Sequence, residues 1–349
     1  MFEAVAIGDL HFDHLRKYWG DEDVNLQLAE IRKPLRYARK HGIPHVVFLG
    51  DVSEHGHMPD RYLLPFLDLL REFDDLRIHI IPGNHDVISS EQTALVSANY
   101  LQERGFMDHV KVHLHPHSER IDGVWVSFLP WPHDKPAVKE RKAFKHPPHL
   151  CFAHIDRPGA LRDNGSRIKI DGDIEDAKDA WVIGHIHTSQ KVRRNWYPGT
   201  LYQCNFGESL PKGFAHVKAR TINYKLQIKC ELVRNHPAFT LVNLRVANDT
   251  DLKELTHDDR IRYKLHVQKG YRLPSNLLQD YPNIHTVTGA KESSDGRVEE
   301  TIAQAHGDDE VSVDLTYGLQ EFLAGKGATE KQQRIAMKEV HDTIERGIQ

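Results

Sequence analysis

An α/β fold is predicted for the first two hundred residues of this 349-residue chain, with a smaller unit following it. Three observations carry the prediction. Short apolar runs rich in Val, Ile, Phe and Trp alternate with stretches whose apolar residues recur every three or four positions, as strands and helices taken in turn would do. That alternation stops near Cys204, after which strand-like runs follow one another without long helices between them. The length itself suggests two domains at roughly 100–200 residues each.

The strand candidates of the first unit are residues 2–8, 45–50, 77–82, 124–129, 149–153 and 180–184, each the length of a buried strand. Between the first two, residues 25–40 read as a helix through Leu28, Ile31, Leu35 and Ala38. Pro34 lies inside it and predicts a kink or a break, because proline lacks the N–H and crowds the preceding turn. Residues 60–73 make a second helix, with Leu63, Phe66, Leu67 and Leu70 on one face. Beyond Cys204, residues 213–217, 225–233 and 239–247 read as strands. Residues 260–268 alternate cleanly, placing Ile261, Tyr263, Leu265 and Val267 on one side. A break near 235–237 is the expected boundary, giving a core over 1–234 and an α+β unit over 235–290. Residues 291–310 are acidic, polar and free of aromatics, and read as a linker that cannot build a core. Over 311–349, Leu315, Leu319, Phe322 and Leu323 form one amphipathic face and Met337, Val340 and Ile344 another, with a Gly-Lys-Gly turn between.

Composition excludes several classes. Against 46 Lys and Arg stand 50 Asp and Glu, so a blanket basic coat for nucleic acid is excluded and only local patches remain open. Cys151, Cys204 and Cys230 form no CxxC and cannot all pair, which excludes a disulfide scaffold and fits a reducing cytosol. No apolar run approaches the ~18 residues of a membrane span, and no leader-like pattern precedes the first strand candidate, so a cytoplasmic setting away from membranes is expected. The 25 histidines invite a search for metal ligands. His41, His79, His113, His115 and His117 read as ordinary surface or core residues.

Five blocks close predicted strands: Gly8-Asp9-Leu10-His11, Gly50-Asp51, Gly83-Asn84-His85-Asp86, Ala153-His154 and Gly184-His185-Ile186-His187. Function in open α/β sheets gathers where strands end. Carboxylates, an amide oxygen and imidazoles meeting there suit a hard-to-borderline divalent ion. Two such ions about 3.5–4 Å apart can clamp the attacking and leaving oxygens of a phosphoryl displacement. An anion must lie between them, and Asp51 is the candidate bridge. Asp9 and His11 suit one ion, Asn84 offers its oxygen to the other, and His154, His185 and His187 complete the two shells. His85 stands beside a ligand, placed to give a proton to the leaving oxygen. The adjacent glycines are expected to let the backbone turn sharply beneath the ions.

The five blocks, spanning roughly residues 1–205, resemble the calcineurin-like metallophosphoesterase superfamily. Within it the sequence resembles the SbcD nuclease family of DNA double-strand-break processing, nearest the phage-encoded recombination endonuclease subunits. Tyr197-Pro198-Gly199-Thr200, Asn205-Phe206-Gly207-Glu208 and Lys212-Gly213-Phe214 look like that family's "YPGS…FGE…KGF" run, and Phe128-Leu129-Pro130-Trp131 like the "IPW" segment of its phage members. The resemblance implies a four-layer metallophosphoesterase sandwich, two mixed β-sheets flanked by helices, with a small α+β capping domain that binds DNA and C-terminal helices. It also implies two manganese ions, magnesium or another divalent ion being the alternative. Asp9, His11, Asp51 and His187 would hold one and Asp51, Asn84, His154 and His185 the second, with His85 catalytic. The implied activities are 3′→5′ exonuclease on duplex ends and endonuclease on single strands or hairpins. One departure stands out: many members carry a His three positions after the Asp51 equivalent, where this chain has Glu54, with His55 and His57 just beyond.

Lys139, Arg141 and Lys142 belong to a basic run that reads either as a solvated face or as a DNA phosphate contact. Lys191, Arg193 and Arg194, just after His187, are better placed for DNA. The resemblance implies that the C-terminal helices grip an SMC-like ATPase (SbcC-like) subunit, and that helices 60–73 and 92–104 form a homodimer seam within a heterotetramer. The rival readings are a small-molecule phosphodiesterase or phosphatase, which the long extension argues against, and a non-catalytic scaffold, which the intact ligand set argues against.

Overall fold

Strand β1 (Phe2–Ile7) sits between two apolar layers, and its alternation explains why. Phe2, Ala4 and Ala6 point into the space between two sheets, whereas Val5 and Ile7 point under helices. The computed structural model describes residues 1–89, 92–103, 105, 107–131, 149–163, 165–169, 179–292 and 298–304. After β1 come α1 (Arg16–Trp19), α2 (Asp23–Lys40), β2 (His45–Phe48), α3 (Asp60–Arg71) and β3 (Arg77–Ile80). Then follow β4 (Val87–Ser89), β5 (Gln92–Thr93), α4 (Val96–Glu103), β6 (Val110–Val112), β7 (His117–Ile121) and β8 (Val124–Leu129). The chain continues through β9 (Leu150–His154), β10 (Ala180–Gly184), β11 (Gln190–Val192), β12 (Asn195–Tyr197), β13 (Lys212–Ile222) and β14 (Lys225–Asn235).

The first sheet has the order β14-β13-β1-β2-β3-β6 and the second β11-β12-β10-β9-β8-β7. Both are mixed. In the first, β1, β2, β3 and β6 run parallel and β13 pairs antiparallel with β1; in the second, β8, β9, β10 and β12 are parallel between antiparallel edges. The faces of the two sheets meet through Phe2, Val47, Val126, Phe128, Phe152 and Val182. These are the two stacked, mixed sheets of the α/β fold that the sequence predicts. Among the described residues, helices cover only the first sheet's outer face, where α2 and α3 bury Ile31, Leu35, Phe66 and Leu70. The outer face of the second sheet is covered instead by Ile155, Ala160, Ile168 and Ile186 from connecting segments.

Helix α2 runs unbroken through Pro34, contrary to the expected kink or break. Burial of Ile31, Pro34, Leu35 and Ala38 fastens it to the sheet on both sides of the proline, offsetting the missing backbone bond. The two-residue turn Asn223-Tyr224, both with positive φ (48° and 58°), joins β13 and β14 into a long hairpin.

A third sheet, β15 (Thr240–Val246), β16 (Ile261–Val267), β17 (Ile284–Glu292) and β18 (Val298–Gln304), follows, with the short helix α5 (Leu277–Asp280) beside it. It has its own apolar cluster around Leu244, Val246, Tyr263, Leu265 and Ile284. The junction near 235–237 is pinned rather than loose: Glu30 accepts hydrogen bonds from Asn235 (2.7 Å) and the Ala238 backbone (2.8 Å). Trp19 packs on Phe239 with ring centroids 4.8 Å apart, and Arg262 donates to the Tyr18 carbonyl at 2.7 Å. The stretch 291–310 corrects the sequence reading in part. Residues 298–304 form β18, paired antiparallel with β17, because ladder bonds between backbones need no apolar side chains. The expected C-terminal helices over 311–349 lie outside the described residues. No helix among the described residues is long and apolar enough to cross a membrane.

Candidate metal centre

The parallel strands β1 and β2 of one sheet and β9 and β10 of the other end on the same side of the sandwich, and their following residues converge there. Three of those residues, His11 (φ 48°), Asp51 (φ 48°) and His185 (φ 83°), hold a left-handed backbone without being glycine. Such a conformation costs about 1–3 kcal/mol each and persists only where neighbours enforce it. The Asp51 carbonyl accepts the Leu10 and His11 amides at 2.8 and 2.9 Å, and Asp9 accepts the His185 amide at 2.9 Å. Three residues that the sequence marks as ligands are thus held in a strained backbone.

Two donor sets result. In the first, Asp9, His11 and His187 bring one ligand atom each within 4.8 Å of one another, and the Nε2 atoms of His11 and His187 lie 3.0 Å apart. In the second, Asp51, His154 and His185 do the same, and His154 Nε2 lies 3.0 Å from Asn84 Oδ1. Asp51 Oδ2 stands between the sets, 3.2 Å from His154 Nε2 and 3.9 Å from His11 Nε2. That is the place of a bridging carboxylate. Asp9, His11, Asp51 and His154 are buried. All seven residues predicted as ligands therefore meet at one locus.

Groups behind the donors set their protonation. His11 Nδ1 contacts Glu54 Oε2 at 2.7 Å, His187 Nδ1 contacts Glu208 Oε1 at 2.8 Å, and His154 Nδ1 donates to the Leu49 carbonyl at 2.7 Å. Each imidazole thus commits Nδ1 elsewhere and turns Nε2 inward. Burial alone would depress His154 and His187. The Asp51 and Asp9 charges lift His154 to about 9, and Glu208 with Asp9 and Asp163 lifts His187 to about 9. Burial would raise Asp51, but His154 and His11 hold it well below the usual carboxylate range. Without an ion, protons on these rings answer the carboxylate charge, as expected of a cation site.

The residues fit divalent ions on two further counts. Nitrogen and carboxylate donors with one amide oxygen are the chemistry such ions take. The backbone also leaves no room beneath them: a Cβ on Gly83 would lie 2.1 Å from Asp51 Oδ1, and one on Gly50 2.4 Å from His154 Nδ1. Among the four block glycines, only Gly50 (φ 97°) needs glycine's conformational freedom; Gly83 is required for close approach instead. His85 stands outside both sets. Its amide donates to Asp51 Oδ1 and its Nδ1 to the Glu54 carbonyl, each at 2.8 Å, and its ring meets His11 edge-on at 4.9 Å.

Sequence reasoning assigned no role to five residues that organise this centre. Glu54 and Glu208 back two ligand candidates, and Lys212 contacts Glu208 at 2.5 Å. Asp86, fully buried, accepts the amides of Gly83, Ser53 and Val52 and so ties the loops after β2 and β3 together. Its position within the Asn-His-Asp block was the only signal. Trp131 packs 5.2 Å from the His185 ring and walls the second set. His55 and His57 are exposed.

The DNA candidates fare unevenly. Arg193 and Arg194 sit in the turn between β11 and β12, at the end of β10 remote from His185. Arg194 spends its guanidinium on the Asp179 and Leu226 carbonyls. Lys191 lies over the Trp196 ring, 5.0 Å from its centroid. Lys139, Arg141 and Lys142 lie outside the described residues.

Two donor sets sharing one carboxylate at the strand ends of an α/β sandwich define a metal-dependent phosphoesterase. Residues 3–189 match the calcineurin-like phosphoesterase family, and the chain belongs to it. A solved structure described as a novel archaeal phosphodiesterase is similar at 15% identity, covering 66% of this chain and 100% of that one, with a TM-score of 0.32. No curated protein matches the chain.

Proposed function

We propose that this phosphoesterase is a DNA nuclease of the SbcD type, a 3′→5′ exonuclease on duplex ends and an endonuclease on single strands or hairpins. It works with two manganese ions and a homodimer of it joins an SMC-like ATPase through residues 311–349. The observation that favours a polymer over a small substrate is a groove of about 790 Å³ between the third sheet and the Phe206-Gly207 turn. Its floor is the polar face of that sheet, where Asn243 faces Lys264, Arg245 faces His266 and His266 faces Thr288 across the ladders. Glu208, one residue beyond the turn, backs His187, which ties the groove's wall to the metal centre through the chain. Lys and Arg along such a track neutralise phosphates whatever the base sequence.

The ions, when bound, supply positive charge at the phosphoryl oxygens and make a water acidic enough to act as nucleophile near neutral pH. The chain's residues do the rest. Asp51 holds the two donor sets in fixed relation. His85, pinned through Nδ1 to the Glu54 carbonyl, turns Nε2 to the departing sugar oxygen and, in its imidazolium form, gives that oxygen the Nε2 proton as the P–O bond breaks, leaving the neutral Nδ1–H ring.

Cleavage of end-labelled linear duplex DNA by the full chain tests the reading, with Mn²⁺, with Mg²⁺, with EDTA, and with the His85→Ala variant. Shortening from the 3′ end that needs Mn²⁺ and His85 supports it. Intact DNA beside rapid hydrolysis of a small chromogenic phosphodiester, unchanged when an SMC-like ATPase is added, overturns the DNA assignment and leaves the phosphoesterase.

A further inference from the structure

We propose that Glu54 is a positioning residue of the metal centre, fixing the tautomer of His11 with its carboxylate and that of His85 with its main chain. The inference rests on the ligand role of His11 given above. Glu54 contacts three imidazoles from a single position. Its Oε2 lies 2.7 Å from His11 Nδ1, its Oε1 2.9 Å from His14 Nδ1, and its carbonyl oxygen 2.8 Å from His85 Nδ1. An ionised carboxylate and a carbonyl can only accept: His85 Nδ1 donates to the carbonyl, and although the His11 contact is not aligned as a regular hydrogen bond, a bare Nδ1 lone pair 2.7 Å from a carboxylate oxygen would be repelled, so the proton belongs on Nδ1 there too. For His11 this leaves Nε2 bare, and Nε2 is the atom facing His187 Nε2 at 3.0 Å. The opposite tautomer would aim an N–H at the ion and could not ligate it.

The geometry also explains why Glu54 is not itself a ligand, although it lies within ligand distance of His11 and His85. His14 holds the second carboxylate oxygen, so the side chain is anchored at both ends of its carboxylate. The backbone is equally fixed. The Glu54 amide donates to the Phe12 carbonyl at 3.0 Å, the Phe12 amide donates to Val52 at 2.9 Å, and Phe12 bridges Ser53. The segments after β1 and β2 therefore lie side by side, and Glu54 is delivered to the back of His11 by main-chain bonds. A carboxylate behind a ligating imidazole orients the ring and raises its basicity, and its loss typically weakens metal binding 10–100-fold.

Two readouts on the full-length chain test this without any DNA. The first is calorimetric titration with Mn²⁺ of the wild type, Glu54→Ala and Glu54→Gln. The second is the long-range ¹H–¹⁵N histidine spectrum of the metal-free proteins, which distinguishes Nδ1–H from Nε2–H rings. We expect Glu54→Ala to weaken one Mn²⁺ equivalent about 10–100-fold and leave the other unchanged. The His11 signals should then shift toward the Nε2–H form while those of His85 do not, because a main-chain acceptor survives side-chain substitution. Glu54→Gln keeps one accepting oxygen, is nearly isosteric, and should retain the His11 tautomer and most of the affinity. A Glu54→Ala protein with His11 still protonated at Nδ1 overturns the inference, as does equal weakening of both equivalents in the two variants. If the wild type binds no Mn²⁺, the ligand reading fails on its own, and the spectra still decide whether Glu54 sets the His11 tautomer.

Discussion

The Nε2 atoms of His11 and His187, 176 positions apart in sequence, face each other at 3.0 Å. Two ring nitrogens do not approach so closely without something shared between them, a proton in the free chain or a cation in the loaded one. Divalent ions should therefore stabilise the fold strongly. At free Mn²⁺ a hundredfold above its dissociation constant, each site adds about 2.7 kcal/mol. Thermal melts in Mn²⁺ and in EDTA should differ accordingly. Asp51→Ala, which removes the oxygen between the sets, should lose most of that difference; a full Mn²⁺ response in this variant would show that Asp51 bridges nothing.

His85 should separate chemistry from binding. Its contact with Asp51 is made by the backbone amide and survives replacement by alanine, while the ring touches only the Glu54 carbonyl and the edge of His11. His85→Ala should keep the Mn²⁺-induced rise in melting temperature and lose about 10²–10⁴ in hydrolysis rate. Loss of the Mn²⁺ response alongside the rate would mean that the ring supports the ions instead.

Gly83 is the position where a single methyl should be most damaging. A Cβ there would lie 2.1 Å from Asp51 Oδ1 and 2.3 Å from the Asp51 amide nitrogen. The Asp51 backbone cannot retreat, since its carbonyl already holds Leu10 and His11. Gly83→Ala should cost about 1–3 kcal/mol of stability in the absence of metal. It should also abolish the Mn²⁺ response, because Asp51 must rotate away. Urea titration with and without Mn²⁺ measures both, and an undiminished metal response would show that the loop yields.

How much of this was readable in advance follows from where the information sits. The ligand blocks were legible because each is local: an Asp or His beside a glycine at the close of an apolar run, as at Gly8-Asp9 and Gly184-His185. Strand identity was legible through short apolar runs, as at residues 2–8, because β1 is buried on both of its faces and needs no alternation to mark it. The roles of Glu54 and Glu208 were not: one stands out as a departure from the family pattern and the other lies in a family-like run, but what each does depends on which imidazole the fold carries to it. Pro34 misled because burial on both sides outweighs one lost backbone bond. The edge strand β18 was hidden because its pairing is made by backbone and leaves no apolar signature.

The last prediction concerns three buried histidines that act together; two of them, His79 and His113, read in the sequence as ordinary surface or core residues. His45, His79 and His113 form a hydrogen-bonded row, with Nδ1 of His45 3.2 Å from Nε2 of His79 and Nδ1 of His79 3.1 Å from Nε2 of His113. Phe128 stacks on His79 and His113 at 4.6 and 3.9 Å. Burial is the main cause holding all three below their ordinary value, His79 at about 3 and His113 at about 2, with Lys111, Arg77 and His117 adding repulsion. Asp122, 3.6 Å from His45 Nε2, pulls the other way on that ring alone. The folded state thus refuses protons that the unfolded chain accepts near pH 6.5. The row's contribution to stability is complete above that pH and is lost as pH falls from about 6.5 toward 3, at about 1.4 kcal/mol per pH unit for each ring. Replacing the end ring, His113→Phe, keeps the stack on Phe128 but removes one such group. It leaves His79 Nδ1 without this partner, which lowers stability at every pH by about 1–3 kcal/mol. The slope is the informative quantity. Urea midpoints measured in EDTA between pH 7.5 and 4.5 should fall less steeply in His113→Phe, by about one proton. Parallel curves would place His113's folded-state value near that of the unfolded chain and remove it from the acid response.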